Sequence, residues 1–193
     1  MTSRFCSIDL FFAFQMIENV LDKLQDLFTR GNADFRVLHH AQAGQSSASV
    51  AAIRGTELGQ GAKALCCTVK GPGKKRQHVL AVLPADCQAD LPRIAEAVDG
   101  RRTNLASPDE VLTLTGCIFG AVPPVSFHPD LQVIADPSLL TRYEELVFNA
   151  GQRDVSIFIK TVDYHRIVNP KIWSFAKLPE SDKESVRNFV SMG

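Results

Sequence analysis

"AKALCCTVKGPGKKRQHVLAVLP", residues 62–84, holds two apolar runs on either side of a turn made of glycine, proline and lysine. The runs are too short for core helices, and the turn residues stop each of them. They read as the two strands of a β-hairpin with a basic tip in water. Both strands should be buried, because their apolar residues are nearly continuous.

On the N-terminal side, Phe14, Ile17, Leu21, Leu24 and Phe28 recur at three- and four-residue spacings. They predict an amphipathic helix over about 11–30 that stops at Gly31. "DFRVLHH" predicts a short strand ending at His39–His40, and "SSASVAAIRG" a helix with a serine cap and Gly55 as its stop. On the C-terminal side, "QADLPRIAEAVDG" predicts a helix ending at Gly100. Ser107, Pro108 and Glu110 have capping-box spacing with proline at the first helical position. "LQVIAD", "ELVFNAG" and "VSIFIK" follow as short strands, joined by connections too short for repeated helical crossovers. The expected class is α+β, with a mixed, mainly antiparallel, barrel-like sheet flanked by helices. A single domain should span 1–193, with its core at about 33–170 and a polar C-terminal tail over about 177–193.

Composition bounds the function. Of the 193 residues, 45% are hydrophobic and 22% charged, as in a globular protein. Twenty-one basic and twenty-one acidic residues cancel, so no global field draws the chain to a polyanion. DNA is not an expected partner, and any RNA contact must be local. Lys70, Lys74, Lys75 and Arg76 at the hairpin tip are the candidates, unless they simply form a solvated turn. Five cysteines without C-x-x-C spacing point to a reducing compartment. "IDLFFAF" is short and carries Asp9, so a cytoplasmic chain without a membrane span is expected.

The five histidines lack zinc-site spacing, and there is no G-x-S-x-G, P-loop or Rossmann glycine pattern. No metal or cofactor is therefore expected. Cys117 could be a nucleophile with His128 or His40 as its base, or a small apolar residue of the core. Lys63 stands between "LGQG" and the buried-looking "ALCC". It is either a cation pointing into a cleft to hold a phosphate or carboxylate, or a strand-end lysine with its head in water.

"GAKAL", "LASPDEVLTLTGCIFGAVPP", "VIADPSL" and "FNAG" occur in that order. Together they resemble the YbaK/ProRS-associated family of aminoacyl-tRNA editing domains. "IRGTELGQGAKAL" and "RQHVLA" resemble the free-standing YeaK-type branch of that family. The resemblance implies a trans-acting deacylase of mischarged tRNA. It places the family's essential lysine at Lys63, its G-x-x-x-P loop at Gly120 to Pro124, its pocket aspartate at Asp136 and its histidine at His40. The chain departs from the cysteine- and alanine-editing branches at Ala64, where they carry a small polar residue. The implied substrate is seryl-tRNA, with threonyl-, alanyl- and cysteinyl-tRNA as alternatives and a synthetase as a further partner. A non-catalytic tRNA-binding or synthetase-associated module is the competing reading.

An ester can be hydrolysed without a protein nucleophile if main-chain amides in a water-poor turn polarise its carbonyl. "TGCIFGAVPP", residues 115–124, suits that task, since Gly116 and Gly120 permit unusual dihedrals and Pro123 and Pro124 stiffen the loop. Water would attack with help from a ribose hydroxyl while Lys63 fixes a phosphate. Thr115, Ser126 and His128 are candidates for reading a substrate hydroxyl, though each also suits a turn or a cap. Without the resemblance, the same glycines and prolines describe a strand, a bulge and a tight turn.

Overall fold

The computed structural model describes residues 19–41, 46–72 and 76–177. In chain order the elements are α1 (Val20–Arg30), β1 (Phe35–His39), α2 (Ser47–Arg54), a 3-10 turn (Leu58–Gln60), β2 (Ala62–Lys70) and β3 (Arg76–Pro84). They continue with β4 (Gln88–Ala89), α3 (Leu91–Glu96), β5 (Arg102–Leu105), α4 (Pro108–Thr115), β6 (Leu131–Ala135) and α5 (Pro137–Thr141). The last are β7 (Glu145–Asn149), β8 (Val155–Lys160), α6 (Thr161–Val168), β9 (Lys171–Ile172) and β10 (Ala176–Lys177).

The hairpin is the centre of the fold. β2 and β3 pair antiparallel from Ala62↔Pro84 to Lys70↔Arg76, inside a five-stranded sheet of order β5-β2-β3-β6-β9. Its two faces bury different cores, which is why the sequence runs apolar without alternation. Cys66, Leu80 and Val82 face a core shared with α1, α4, α6 and the second sheet, β1-β8-β7. Cys67, Val69, Val79, Ala81 and Leu83 face another core, closed by Ile94 of α3 and by Phe175. A bridge between Gly61 and Val147 joins the two larger sheets, giving the barrel-like form.

Both serine caps form as expected. Ser46 and Ser49 make a reciprocal box at α2, as do Ser107 and Glu110 at α4, and Gly55 and Gly116 end these helices with φ of 67°. One expected helix end needs correction. α3 stops at Glu96, four residues before Gly100, and Asp99 takes a left-handed φ of 53° in the turn between. The pairs β3–β6 and β6–β9 are parallel and the other strand pairs antiparallel, the mixed, mainly antiparallel arrangement expected. Short local connections did not prevent this, because the crossover from β6 to β9 passes through the whole of α5, β7, β8 and α6. The Phe11–Glu18 part of the N-terminal helix, Lys74, Lys75 and the tail from 178 lie outside the described residues. Among the described residues, no helix is long and apolar enough to cross a membrane.

Candidate active site

β5 pairs with β2 only from Cys67 to Lys70. Before Cys67 the outer edge of β2 has no paired strand among the described residues, and a cavity of about 370 Å³ opens there, within the size range of small-molecule sites. Lys63, Ala64 and Cys66 form one wall, and Val50, Ala51 and Arg54 of α2 another. Phe119, Gly120 and Val122, with Asn149 at the end of β7 and Arg153 just beyond it, complete the polar end.

Lys63 is half-buried, and its Nζ donates to the carbonyls of Cys87 at 2.5 Å and Ala85 at 3.4 Å. Burial lowers its pKa, while the neighbouring Cys87 and Asp86 act in the opposite direction. Two of its three N–H groups are thus directed by main-chain oxygens. The third has no protein acceptor among the described residues.

The Gly120 turn is held by its carbonyls. Ala121 donates its N–H to Ile118 O at 3.0 Å, and Gly120 has φ of 84°, the third-position geometry of a type II turn, which glycine accommodates. Arg153 grips Phe119 O from Nη2 at 2.7 Å and Nε at 3.3 Å, and Asn149 Nδ2 grips Gly120 O at 2.7 Å. A trans peptide points its C=O and N–H in opposite directions. Holding Phe119 O therefore also fixes the Gly120 N–H, which donates to no acceptor among the described residues.

Behind this turn lies a polar chain. Arg54 donates to Asn149 Oδ1 at 2.5 Å and to Ser156 Oγ at 2.8 Å, and His40 Nε2 meets the same Ser156 hydroxyl at 2.7 Å. Burial pulls Arg54 down to about 10, which leaves it cationic at neutral pH. Burial and the Arg54 charge push His40 below the usual imidazole value, so its ring is neutral there. His40 thus reaches the turn through Ser156, Arg54 and Asn149 and does not itself line the cavity.

Lys63 and Gly120 share the cavity; the other expected site residues stand outside its lining. Asp136 is 2% exposed. Its carboxylate accepts from the amide and hydroxyl of Ser138 and from the amides of Phe175 and Ala176. Pro124 is buried, and its carbonyl accepts from the enclosed Tyr164 hydroxyl at 2.8 Å. Thr115 donates to Val111 O and accepts from Cys117 N, Gly116 ends α4, Ser126 bonds both main-chain groups of His128, and the His128 ring accepts from Asp130 N. These are cap and turn contacts.

The cavity residues not foreseen are Arg54, Thr56, Asn149 and Arg153. The usable signals were an arginine at the end of an otherwise apolar helix and an asparagine within "FNAG".

Neither sulfur near the site is activated. Cys117 is 1% exposed and outside the cavity, and burial raises its thiol pKa. Cys66 borders the cavity, but burial and Glu110 push it up to about 11. Burial outside the cavity keeps Cys117 from a substrate held there, which weighs against the cysteine-nucleophile reading.

At the far end of β2, Lys70 pairs with Arg76 on one side and Arg102 on the other, so the three exposed cations form a row across the sheet. Arg76 has one carboxylate nearby, Glu110 at 3.8 Å. Seven residues of strand place this row about 23 Å from Lys63.

Lys63 and Gly120 thus line one cavity beside a mixed sheet, and the class of protein follows from comparison with known chains. The chain belongs to the aminoacyl-tRNA editing domain family, whose model matches residues 41–167. A relative from Escherichia coli strain K12, the multifunctional Ser/Thr-tRNA deacylase ProXp-y, is 54% identical over 155 residues, covering 80% of this chain and 92% of its own. The protein of the same name from Escherichia coli O157:H7 matches to the same extent. A solved structure described as a candidate trans-editing enzyme for prolyl-tRNA synthetase has a TM-score of 0.70 at 23% identity, covering 84% of this chain and 99% of its own. At that identity it speaks to the fold alone.

Proposed function

We propose that this chain is a trans-acting deacylase that hydrolyses the ester of seryl- and threonyl-tRNA in the cytoplasm. What carries the reading is one arrangement: a carbonyl-held ammonium and a turn with an unused amide bordering the same cavity. The deacylase relative at 54% identity supports it.

In this mechanism Lys63 holds a phosphate of the acceptor end, and the ester carbonyl lies against the Gly120 N–H. Water attacks the carbonyl carbon, and the charge that develops on its oxygen is met by that amide. Removing one such donor typically costs about 3 to 4 kcal/mol of barrier. The C–O bond to the terminal ribose then breaks. The proton lost by water passes, by way of the vicinal ribose hydroxyl, to the departing oxygen.

Asn149 and Arg153 aim the turn, Arg54 holds Asn149, and His40 acts behind them. Thr56, whose hydroxyl has only a 3.5 Å contact to Ala51 O, takes over the hydroxyl reading expected of Thr115, Ser126 or His128. The row of Arg76, Lys70 and Arg102 fits a phosphate backbone, since like charges side by side repel until a polyanion covers them.

Amino-acid release from a panel of mischarged tRNAs tests the proposal. Wild type and Cys117→Ala should release serine and threonine, and Lys63→Ala should do so only at a low residual rate. A wild type that binds these tRNAs without release would favour the non-catalytic module.

A further inference from the structure

Lys63 is held by main-chain oxygens, so whatever fixes those oxygens fixes Lys63. Both belong to the turn that leaves β3, and Asp86 stands between them. Arg142, just after α5, meets Asp86 with both prongs of its guanidinium, Nη1 to Oδ1 at 2.9 Å and Nη2 to Oδ2 at 2.7 Å. Such a fork sets angle as well as distance. The two side chains are only 22% and 16% exposed, and neither residue lines the cavity.

The surroundings enforce the pairing. Ala85 donates its N–H to Gly61 O at 2.8 Å, tying the turn to the residue before β2. A Cβ at Gly59 would lie 2.6 Å from Asp86 Oδ2, 2.8 Å from Arg142 Nη2 and 3.0 Å from the Tyr143 hydroxyl, so any side chain there would displace the pair. Tyr143 donates to Glu57 Oε2 at 2.8 Å, closing a ring from the 3-10 turn back to the neighbour of Arg142.

The geometry points to Asp86 and Arg142 as positioning residues for deacylation: their ion pair locks the Ala85–Cys87 turn, whose carbonyls hold the Lys63 ammonium at the cavity wall. This rests on the deacylase reading above. Among the described residues, the titratable groups around Lys63 are Asp86 and Cys87, with Arg142, Tyr143 and Glu57 behind Asp86, and Asp136 behind Cys87. Burial and Asp86 push the Cys87 thiol up to about 12, so it is uncharged at neutral pH. Burial opposes the charge of Asp86, but the Arg142 and Cys87 hydrogen bonds hold it below the usual carboxylate range. Asp86 is thus a carboxylate beside Lys63 that favours its ammonium form.

The test compares Asp86→Asn, Arg142→Lys, Lys63→Ala and the Asp86→Asn/Lys63→Ala double variant in the full chain. Deacylation of seryl-tRNA is measured against pH. The Lys63 side-chain 15N resonance, assigned by its loss in Lys63→Ala, is titrated without substrate. Asp86→Asn should lose about ten- to a hundredfold in kcat/KM, as for a misplaced binding group. Its alkaline limb and the Lys63 midpoint should both move to lower pH, and the double variant should be no worse than Lys63→Ala.

Arg142→Lys, which keeps the charge and loses the fork, should fall between wild type and Asp86→Asn. If Asp86→Asn does not fold, Arg142→Lys is combined with Lys63→Ala and must show the same loss of additivity. Additive losses, or an unmoved Lys63 titration, overturn the positioning role. Wild-type release by Lys63→Ala would instead sink the deacylase mechanism, while the resonance would still report on the positioning.

Discussion

Replacing Asp136 with alanine removes a carboxylate that accepts hydrogen bonds on both oxygens. Oδ1 takes the Ser138 amide at 2.9 Å and its hydroxyl at 2.5 Å, and Oδ2 takes the Phe175 and Ala176 amides, both at 2.7 Å. The first pair caps α5, and losing such a cap costs about 1 kcal/mol. The second pair fastens the segment that leads into β10 and seats Phe175, 1% exposed, in the core closed by α3. Stranding the buried Phe175 amide and losing a hydrogen bond to a charged acceptor adds about 2 to 3 kcal/mol. The sum, about 3 to 4 kcal/mol, lowers the melting temperature by about 10 °C for a chain of this length. Thermal and urea unfolding measure it. Deacylation assayed well below the transition should stay within about threefold of wild type, a change of less than 1 kcal/mol in barrier. A hundredfold loss of kcat with unchanged unfolding would refute this reasoning and return Asp136 to the chemistry.

Gly120→Ala places a side chain at φ of 84°; the strain should cost about 1 to 2 kcal/mol of stability, and the displaced amide about a hundredfold in kcat. Full activity in that variant would show that the Gly120 amide does not polarise the ester. Tyr164→Phe leaves Pro124 O without its buried donor and should lower the urea midpoint by the equivalent of about 1 kcal/mol. Asp90 beside Lys177, Glu110 on the Ser107 amide and hydroxyl, and Asp163 beside Arg166 are held below the ordinary carboxylate range. Depressed folded values give stability that is complete above the unfolded pKa, near 4, and lost as pH falls through the folded values; unfolding followed by circular dichroism should show that decline, and Glu110→Gln should reduce it. Changing Lys74, Lys75 and Arg76 to alanine should weaken tRNA binding and flatten its dependence on salt, and unchanged affinity would remove the hairpin from the interface.

Features set by neighbours along the chain were legible in the sequence. The serine cap and Gly55 stop of α2 and the capping box at Ser107 each depend on residues within one helical turn or one helix length. The hairpin was legible from its two apolar runs, which pair antiparallel as β2 and β3. What escaped depends on distant partners: Arg54 acts with Ser156 and Asn149, 102 and 95 positions away, and Arg153 with Phe119, 34 positions away. Thr115, Ser126 and His128 are polar residues near the Gly120 turn whose side chains bond local main-chain groups. Asp136 had a local explanation in plain view, an aspartate directly before a proline, which is the start signal of a helix. α6 was missed because "TVDYHRIV" mixes β-branched and polar residues, and its helix depends on Tyr164 entering the core.

The site spends its cavity-side cations and amides mostly on main-chain oxygens: Lys63 on Ala85 and Cys87, Asn149 on Gly120, Arg153 on Phe119. Catalysis by an aimed peptide amide follows the ester carbonyl, which every aminoacyl-tRNA carries, so on the proposed mechanism it contributes nothing to the choice of amino acid. Selection must come from the remaining cavity wall. Serine and threonine share a hydroxyl and differ by a methyl, and an apolar wall senses a methyl by only about 1 to 3 kcal/mol. Alanine lacks the hydroxyl, so a half-buried partner such as Thr56 would lose its substrate contact, a larger penalty when the site is built around that bond. One cavity can therefore accept both hydroxyl amino acids while rejecting alanine. On this reading the pairing of serine with threonine is a consequence of placing the chemistry in the backbone and the selectivity in a single polar contact.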